Sequence, residues 1–326
     1  MDRAHKQTDK IISKLEKELK KEYTKAVDGV NKTILEYMKQ FQIKDNIWRI
    51  EVKKGIHTNE EYQTWRRNQL AVGQRWEDLK DQLAKDLHNV NQIAKSITEG
   101  YMPEIYALNY NYATFTVETQ SMVDTSFTMY SRESAERLFR DNPDMMPKPG
   151  KKVSNLIALG KEKLWNKSQL QSVMLQGIYQ GDSIPDLAKR LATTVGDSNF
   201  KNATRNARTM ATGAQNGGRN DAYTRAQDMG IDMRQTWVAT LDLRTRHTHR
   251  MLDGQTVDVG KPFTINGINI KYPGDPNCID ASLVYNCRCT TIVQLKGFER
   301  DISQRNDPDL GGMTYDEWRA KHGKIR

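Results

Sequence analysis

Apolar residues recur every three or four positions from Ile11 through Leu15, Leu19, Tyr23, Val30 and Ile34 to Phe41, the spacing of one helix face. Lysines and glutamates occupy the other positions, so the stretch predicts a long amphipathic helix or coiled-coil arm that meets another protein surface. Thr58 with Glu61 three residues on is a reciprocal cap that opens a second helix. Its apolar stripe runs from Tyr62 to Ile97, and Gly100 and Pro103 are expected to stop it. Shorter helical patterns follow through Ile105, Leu108, Tyr112 and Phe115, and from Ser131 to about Arg140.

The stretch DNPDMMPKPGKK, residues 141–152, holds three prolines and a glycine, which neither a helix nor a central strand accepts, and it is read as a domain boundary. Helical spacing resumes at Leu170, Met174 and Ile178, stops at Gly181, and restarts at SIPDLAKRL, where Ser183 can cap and Pro185 falls in the first turn. From Lys201 to Met233 the chain stays polar and helical, with Gly213, Gly217 and Gly218 leaving room for a neighbouring backbone. From Gln235 the period changes to two. TWVATLDL alternates, FTINGINIKY reads as a hairpin turning at Asn266-Gly267, and LVYNCRCTTIVQL reads as a further strand. The fold class is therefore α+β, with a mainly helical N-terminal two thirds. Four regions are expected: 1–145, helical; 151–234, helical and basic; 235–296, a small strand-containing domain; and 297–326, a tail.

The formal charge of +9 favours an acidic partner, either nucleic acid or the acidic rim of another protein. No apolar run reaches the roughly 20 residues of a membrane span, and the start MDRAHKQTDKIISK lacks the apolar core of a leader, so a chain used without export or membrane anchor is expected. Three cysteines near the C-terminus do not make a disulfide framework.

Candidate chemistry concentrates in LDLRTRHTHRMLDG, residues 241–254. Asp242 is placed to cap a short helix ending at Gly254, on which Arg246, His249, Arg250 and Asp253 share one face while His247 points away. Such a face can bind phosphate or hold an acid/base histidine, and it can equally cross-link neighbouring loops by hydrogen bonds. Asp275, in the turn YPGDP, can return to Arg246 or Arg288. In a strand Cys287, Cys289, Thr291 and Val293 share one face, which leaves three readings open for the cysteines. They pack as small apolar groups, or they join Cys278 and either His249 or His247 as a Cys₃His zinc set, or they form a redox pair. The metal-protease, phosphate-loop, nucleophile-elbow and zinc-deaminase signatures are missing. Between Lys201 and Arg250 positive residues outnumber negative ones, and Arg205, Arg208, Arg219 and Arg225 are the candidate phosphate contacts.

The order of these motifs resembles the C-terminal domain of the Mu F-like phage minor head, or head morphogenesis, proteins. Trp237, Asp242, Thr245, Arg246, His249, Leu252, Asp253, Gly254, Pro273, Asp275, Asn286, Cys287, Arg288 and Cys289 fall in register with that family's pattern. Upstream, NARTMATGAQNGGRNDAY looks like the helix that precedes the domain, with Met210 where glutamate is usual. The resemblance is clearest over residues 200–296. It implies a structural, non-enzymatic virion protein of low copy number, bound inside the head at the portal vertex and present in the host cytoplasm during assembly. Implied partners are the portal protein, a capsid or scaffolding protein, and double-stranded DNA during packaging or ejection; no cofactor is implied. Two other readings use the same residues: a nuclease-like enzyme with His249 as base and Arg246 on a phosphate, and a zinc-stapled DNA-binding protein.

Overall fold

The computed structural model describes residues 2–125, 128–149, 161–296 and 312–322. The end of the expected boundary stretch 141–152 and most of the expected tail 297–326 lie outside the described residues. The architecture is α+β, with long helices leading to a small antiparallel sheet region.

Helix α1, Arg3–Lys39, buries Leu15, Leu19, Val30, Ile34 and Met38, the expected face. Helix α2, Gln42–Lys53, was not evident from periodicity because Ile43, Ile47 and Ile50 lie on its exposed side. Helix α3, Asn59–Leu70, opens on the predicted cap: Glu61 N–H donates to Thr58 Oγ1 at 3.2 Å and Thr58 N–H donates to Glu61 Oε2 at 2.8 Å. The stripe that looked continuous from Tyr62 to Ile97 is broken at Gly73, whose φ of +94° suits only glycine. Helix α4, Gln74–Ser121, then runs through Gly100 and Pro103, which were expected to end it. A mid-helix proline costs roughly 3 kcal/mol. Buried Met102, Ile105 and Tyr106 on either side supply the packing that holds the helix together across it.

Helices α5, Arg132–Asp141, and α6, Lys161–Tyr179, follow, and then α7, Ile184–Asp228, capped as expected by Ser183. Strand β1, Met233–Val238, is central in a three-stranded antiparallel sheet, between β2, Thr256–Asp258, and β5, Thr290–Leu295. The short helix α8, His247–Leu252, lies between β1 and β2 in sequence. Strands β3, Phe263–Ile265, and β4, Ile268–Ile270, form the predicted hairpin, with Asn266 at φ +49° and Gly267 at φ +76°. Helix α9, Tyr315–His322, closes the described chain. No helix among the described residues is long and apolar enough to cross a membrane.

Two compact units arise from separated segments of chain. One takes Glu16–Ile97 and Asn155–Thr204. Its core includes Ile34, Met38, Leu70, Trp76, Leu170 and Leu191. Buried Asp45 in this unit is matched by Arg66 at 3.0 Å and Arg49 at 3.1 Å, and accepts from the Tyr62 hydroxyl at 2.8 Å, so a costly charge is fully paired.

The other unit takes Met1–Leu15, Thr98–Ser154 and Arg205–Arg326. Here Arg219, 2% exposed, donates to both carboxylate oxygens of Asp2 at 2.7 and 2.8 Å and to Asn109 Oδ1 at 3.1 Å. Trp318 of α9 is fully buried and donates its indole N–H to Glu118 of α4. Helices α4 and α7 meet at Gly218, where a Cβ would stand 2.6 Å from the Tyr106 carbonyl oxygen.

That approach and the open surroundings of Gly100 predict opposite outcomes for one substitution. Gly218→Ala is expected to destabilise the fold by about 1–3 kcal/mol through overpacking against backbone. Gly100→Ala, where a Cβ meets nothing within 4 Å, is expected to stabilise α4 by roughly 0.5–1 kcal/mol. Denaturant midpoints of the two variants check both signs.

Candidate functional site

Four polar side chains stand on α7 at positions 209, 212, 216 and 219, a 3-4-3 spacing that puts them on one stripe, and all are buried. Each reaches the main chain around the Asn-Cys-Arg-Cys segment. Thr209 Oγ1 accepts from Asn286 N–H at 2.9 Å, and Thr212 Oγ1 donates to the Cys287 carbonyl at 2.6 Å. Asn216 Nδ2 donates to the carbonyls of Cys289 and Pro273, both at 3.1 Å, and its Oδ1 accepts from the Thr290 hydroxyl at 3.0 Å. Arg219 donates to the Thr291 carbonyl at 3.1 Å. The turn at Gly274 comes close enough that a Cβ on Gly213 would stand 3.0 Å from its carbonyl oxygen.

Regular pairing of β5 with β1 begins only at Thr290, opposite Val238, so the strand expected to include Cys287 and Cys289 starts after them. Asn286 is the reason: its φ of +51° takes the chain out of extended geometry, in a conformation asparagine tolerates. Both thiols nevertheless point inward, each residue 3% exposed, into a core containing Trp237, Leu252 and Phe263. Trp237 packs edge-on to Phe263, with ring centroids 5.3 Å apart, and to His249 at 6.2 Å.

His249 Nδ1 lies 3.2 Å from Cys289 Sγ and 3.5 Å from Cys287 Sγ. The Cys289 N–H donates to Cys287 Sγ at 3.3 Å. On the other side of the ring, Arg246 Nη1 is 3.3 Å from His249 Nε2, and Arg246 also donates to the Tyr285 carbonyl. A guanidinium can only donate, so Nε2 accepts and Nδ1 carries the ring proton toward the sulfurs. Burial pushes the Cys287 thiol well up. Its hydrogen bond to Cys289, joined by the His249 contact, holds Cys289 down at about 5 against the effect of burial.

Helix α8 starts later than expected, with Arg246 rather than Asp242 before its first residue. Asp242 instead accepts from Arg244 N–H at 2.9 Å and takes a bidentate pair from Arg288 at 2.7 and 2.8 Å. The Arg288 bond holds this half-buried carboxyl well below the usual carboxylate range. Asp253 accepts from Ala239 N–H at 2.8 Å, and Gly254 follows at φ +78°. Asp275 does not reach either arginine offered to it. It accepts from Lys271 and Asn277 N–H within its own turn, at 3.1 and 2.9 Å.

His249, Cys287 and Cys289 bring one ligand atom each to within 4.8 Å of one another, and among the described residues they are the group able to share a metal ion. Cys278 stands outside that group, with its thiol on the Asp280 carbonyl at 3.6 Å, and His247 is exposed. A cavity of about 80 Å³ opens against the cluster, lined by Arg208, Arg244, Arg246 and Arg288 together with Asn286 and Thr240. Of the four arginines proposed for phosphate contact, Arg208 faces this cavity, while Arg205 covers the Tyr285 ring at 5.3 Å. Arg219 is turned inward to Asp2, and Arg225 is exposed. Thr209, Thr212 and Asn216 were not singled out from sequence. A polar stripe at helical spacing among the buried alanines 207, 211, 214 and 222 is the signal that marks them.

Asn216→Ala is expected to cost about 2–3 kcal/mol, because the Cys289 and Pro273 carbonyls and the Thr290 hydroxyl lose a shared partner in the interior. Urea unfolding of the variant measures it. An effect below about 0.5 kcal/mol would contradict the role given to the stripe.

Residues 168–292 match the family described as Phage Mu protein F like protein. Across 234 residues, 71% of the chain, the sequence is 29% identical to a protein of Enterococcus faecalis named NAD(+)--arginine ADP-ribosyltransferase EFV, and covers 46% of it. Across 319 residues, 96% of the chain, it is 23% identical to the Minor head protein GP7 of Bacillus phage SPP1, and covers 94% of it. The chain thus spans about half the length of the Enterococcus protein and nearly all of the phage protein. No solved structure matches it significantly. Residues 168–292 are thus similar to the Phage Mu protein F like family, and nearly the whole chain is similar to a phage minor head protein.

Proposed function

We propose that this protein is a structural minor head component, present at low copy inside the phage head at the portal vertex, where it aids head assembly and contacts the packaged DNA. The observation that carries the reading is the likeness to a minor head protein over 96% of this chain and 94% of that one. Its partners are then the portal protein and a capsid or scaffolding protein, met in the host cytoplasm as the particle is built.

The site supports a structural use of the family motif. His249 has Nε2 facing Arg246 and Nδ1 facing the two sulfurs. Arg288 is held by Asp242, and Asp253 caps the end of β1 at Ala239. These groups tie the loop after β1, helix α8 and the cysteine segment together, which is a use as cross-links rather than as acid, base or nucleophile. The activity in the Enterococcus protein's name belongs to a chain of which 46% is matched, and it is not carried over. Contact with DNA has support from the charge of +9 and from the exposed Lys14, Lys17, Lys20 and Lys21 of α1.

Co-expression with the cognate portal, scaffolding and capsid proteins tests the proposal. The expected outcome is recovery of a few copies per particle in sedimenting procapsids, with loss from particles assembled without the portal. A chain that stays in the soluble fraction while procapsids form around the portal would sink it.

A further inference from the structure

We propose that His249 Nδ1, Cys287 Sγ and Cys289 Sγ form a three-ligand centre for a zinc-class divalent cation, with its fourth coordination position open to the arginine-lined cavity. The three atoms all lie within 4.8 Å of one another, and Nδ1 is already 3.2 and 3.5 Å from the sulfurs. With Zn–S near 2.3 Å and Zn–N near 2.0–2.1 Å, tetrahedral geometry sets neighbouring ligand atoms about 3.5–3.8 Å apart. The imidazole–sulfur spacings of 3.2 and 3.5 Å are therefore within a few tenths of an ångström of what the ion requires. The donor set, two thiolates and an imidazole, is what such an ion prefers.

The supports around the ligands are also in place. The Cys289 N–H is directed at Cys287 Sγ at 3.3 Å, a backbone bond that steadies a metal-bound thiolate. The Cys287 and Cys289 carbonyls are held by Thr212 and Asn216, which fixes where both sulfurs stand. In the bound state both sulfurs are thiolates, any proton still on a thiol passing to solvent, and the two negative sulfurs balance the dication. The ring proton passes from Nδ1 to Nε2. The contact that yields is the long one, Arg246 Nη1 to Nε2 at 3.3 Å, and Arg246 keeps its bond to the Tyr285 carbonyl.

Sequence alone offered Cys278 as the fourth ligand, yet among the described residues no fourth histidine, cysteine or carboxylate joins the group. The remaining position falls to whatever the cavity admits. Arg208, Arg244, Arg246 and Arg288 line it, so an oxyanion of the phosphate type, or water in its absence, is the ligand that the chemistry selects.

The test uses the full chain, reduced and stripped of metal, titrated with Co²⁺ in the absence of oxygen. Expected are uptake of one Co²⁺ per chain with thiolate-to-cobalt charge-transfer absorption, and displacement by Zn²⁺. Cys278→Ser is expected to keep the absorption and Cys287→Ser to lose it. Inorganic phosphate is expected to shift the cobalt d–d bands. A folded wild-type chain without charge-transfer absorption overturns the centre. Loss of the charge-transfer absorption in Cys278→Ser, or d–d bands unmoved by phosphate, overturns the open position. No assembly partner enters the measurement, so its failure leaves the head reading standing.

Discussion

The segment from Tyr285 to Thr291 cannot satisfy its own backbone, and the C-terminal half of the protein is arranged around that constraint. Asn286 turns it out of extended geometry, and pairing to β1 starts only at Thr290. Buried peptide groups left without partners would each cost about 1–3 kcal/mol. Helix α7 supplies the partners through Thr209, Thr212, Asn216 and Arg219, spaced so that one turn of helix serves about two residues of the segment. Among the other inward positions of α7, Gly213 is held to glycine by the close approach of the Gly274 carbonyl, and Ala207, Ala211 and Ala214 are small and fully buried.

Once that segment is fixed, the rest of the site follows by short steps. The two sulfurs stand where His249 can meet them, and Trp237, itself packed against Phe263, stands edge-on to the imidazole. Arg246 then sets which ring nitrogen carries the proton. Arg288, between the cysteines and facing the other way, reaches Asp242 and so fastens the loop after β1. The same loop donates the Thr240 hydroxyl back to the Arg288 carbonyl at 2.9 Å. The motif is thus a set of mutual ties between α7, α8, β1 and β5, and the residues that look reactive in sequence are largely engaged with one another.

Local chemistry was legible in the sequence wherever a few adjacent residues decide the outcome. The Thr58 cap, the Ser183 cap and the Asn266-Gly267 turn are all where the residue types put them. Non-local outcomes were not. Pro103 reads as a stop until the packing of Met102, Ile105 and Tyr106 is known, and α2 hides because its isoleucines face outward. The nearness of His249 to Cys287 and Cys289 was legible through the order of the motif, whereas the separation of Cys278 depends on the path of the chain through the turn at Gly274. Asp275 stays within that turn because two backbone N–H groups lie closer to it than any guanidinium.

Charge is where sequence and structure part most clearly, and the difference bears on what the protein can touch. A count of +9 treats every arginine as available to a phosphate. In the folded chain Arg66 and Arg49 flank Asp45, Arg219 is matched to Asp2, Arg190 to Asp182, and Arg288 to Asp242. Arginine suits these places because its planar fork bonds a carboxylate in two directions and sheds water more readily than an ammonium. Lysine, more strongly hydrated, mostly stays outside, as at Lys14, Lys17, Lys20 and Lys21 on α1. A polyanion approaching from solvent therefore meets mainly ammonium groups on mobile stems, which attract without reading sequence. The arginines around the cysteine cluster are a different case: they line a cavity of about 80 Å³, too small for a duplex and large enough for a single oxyanion.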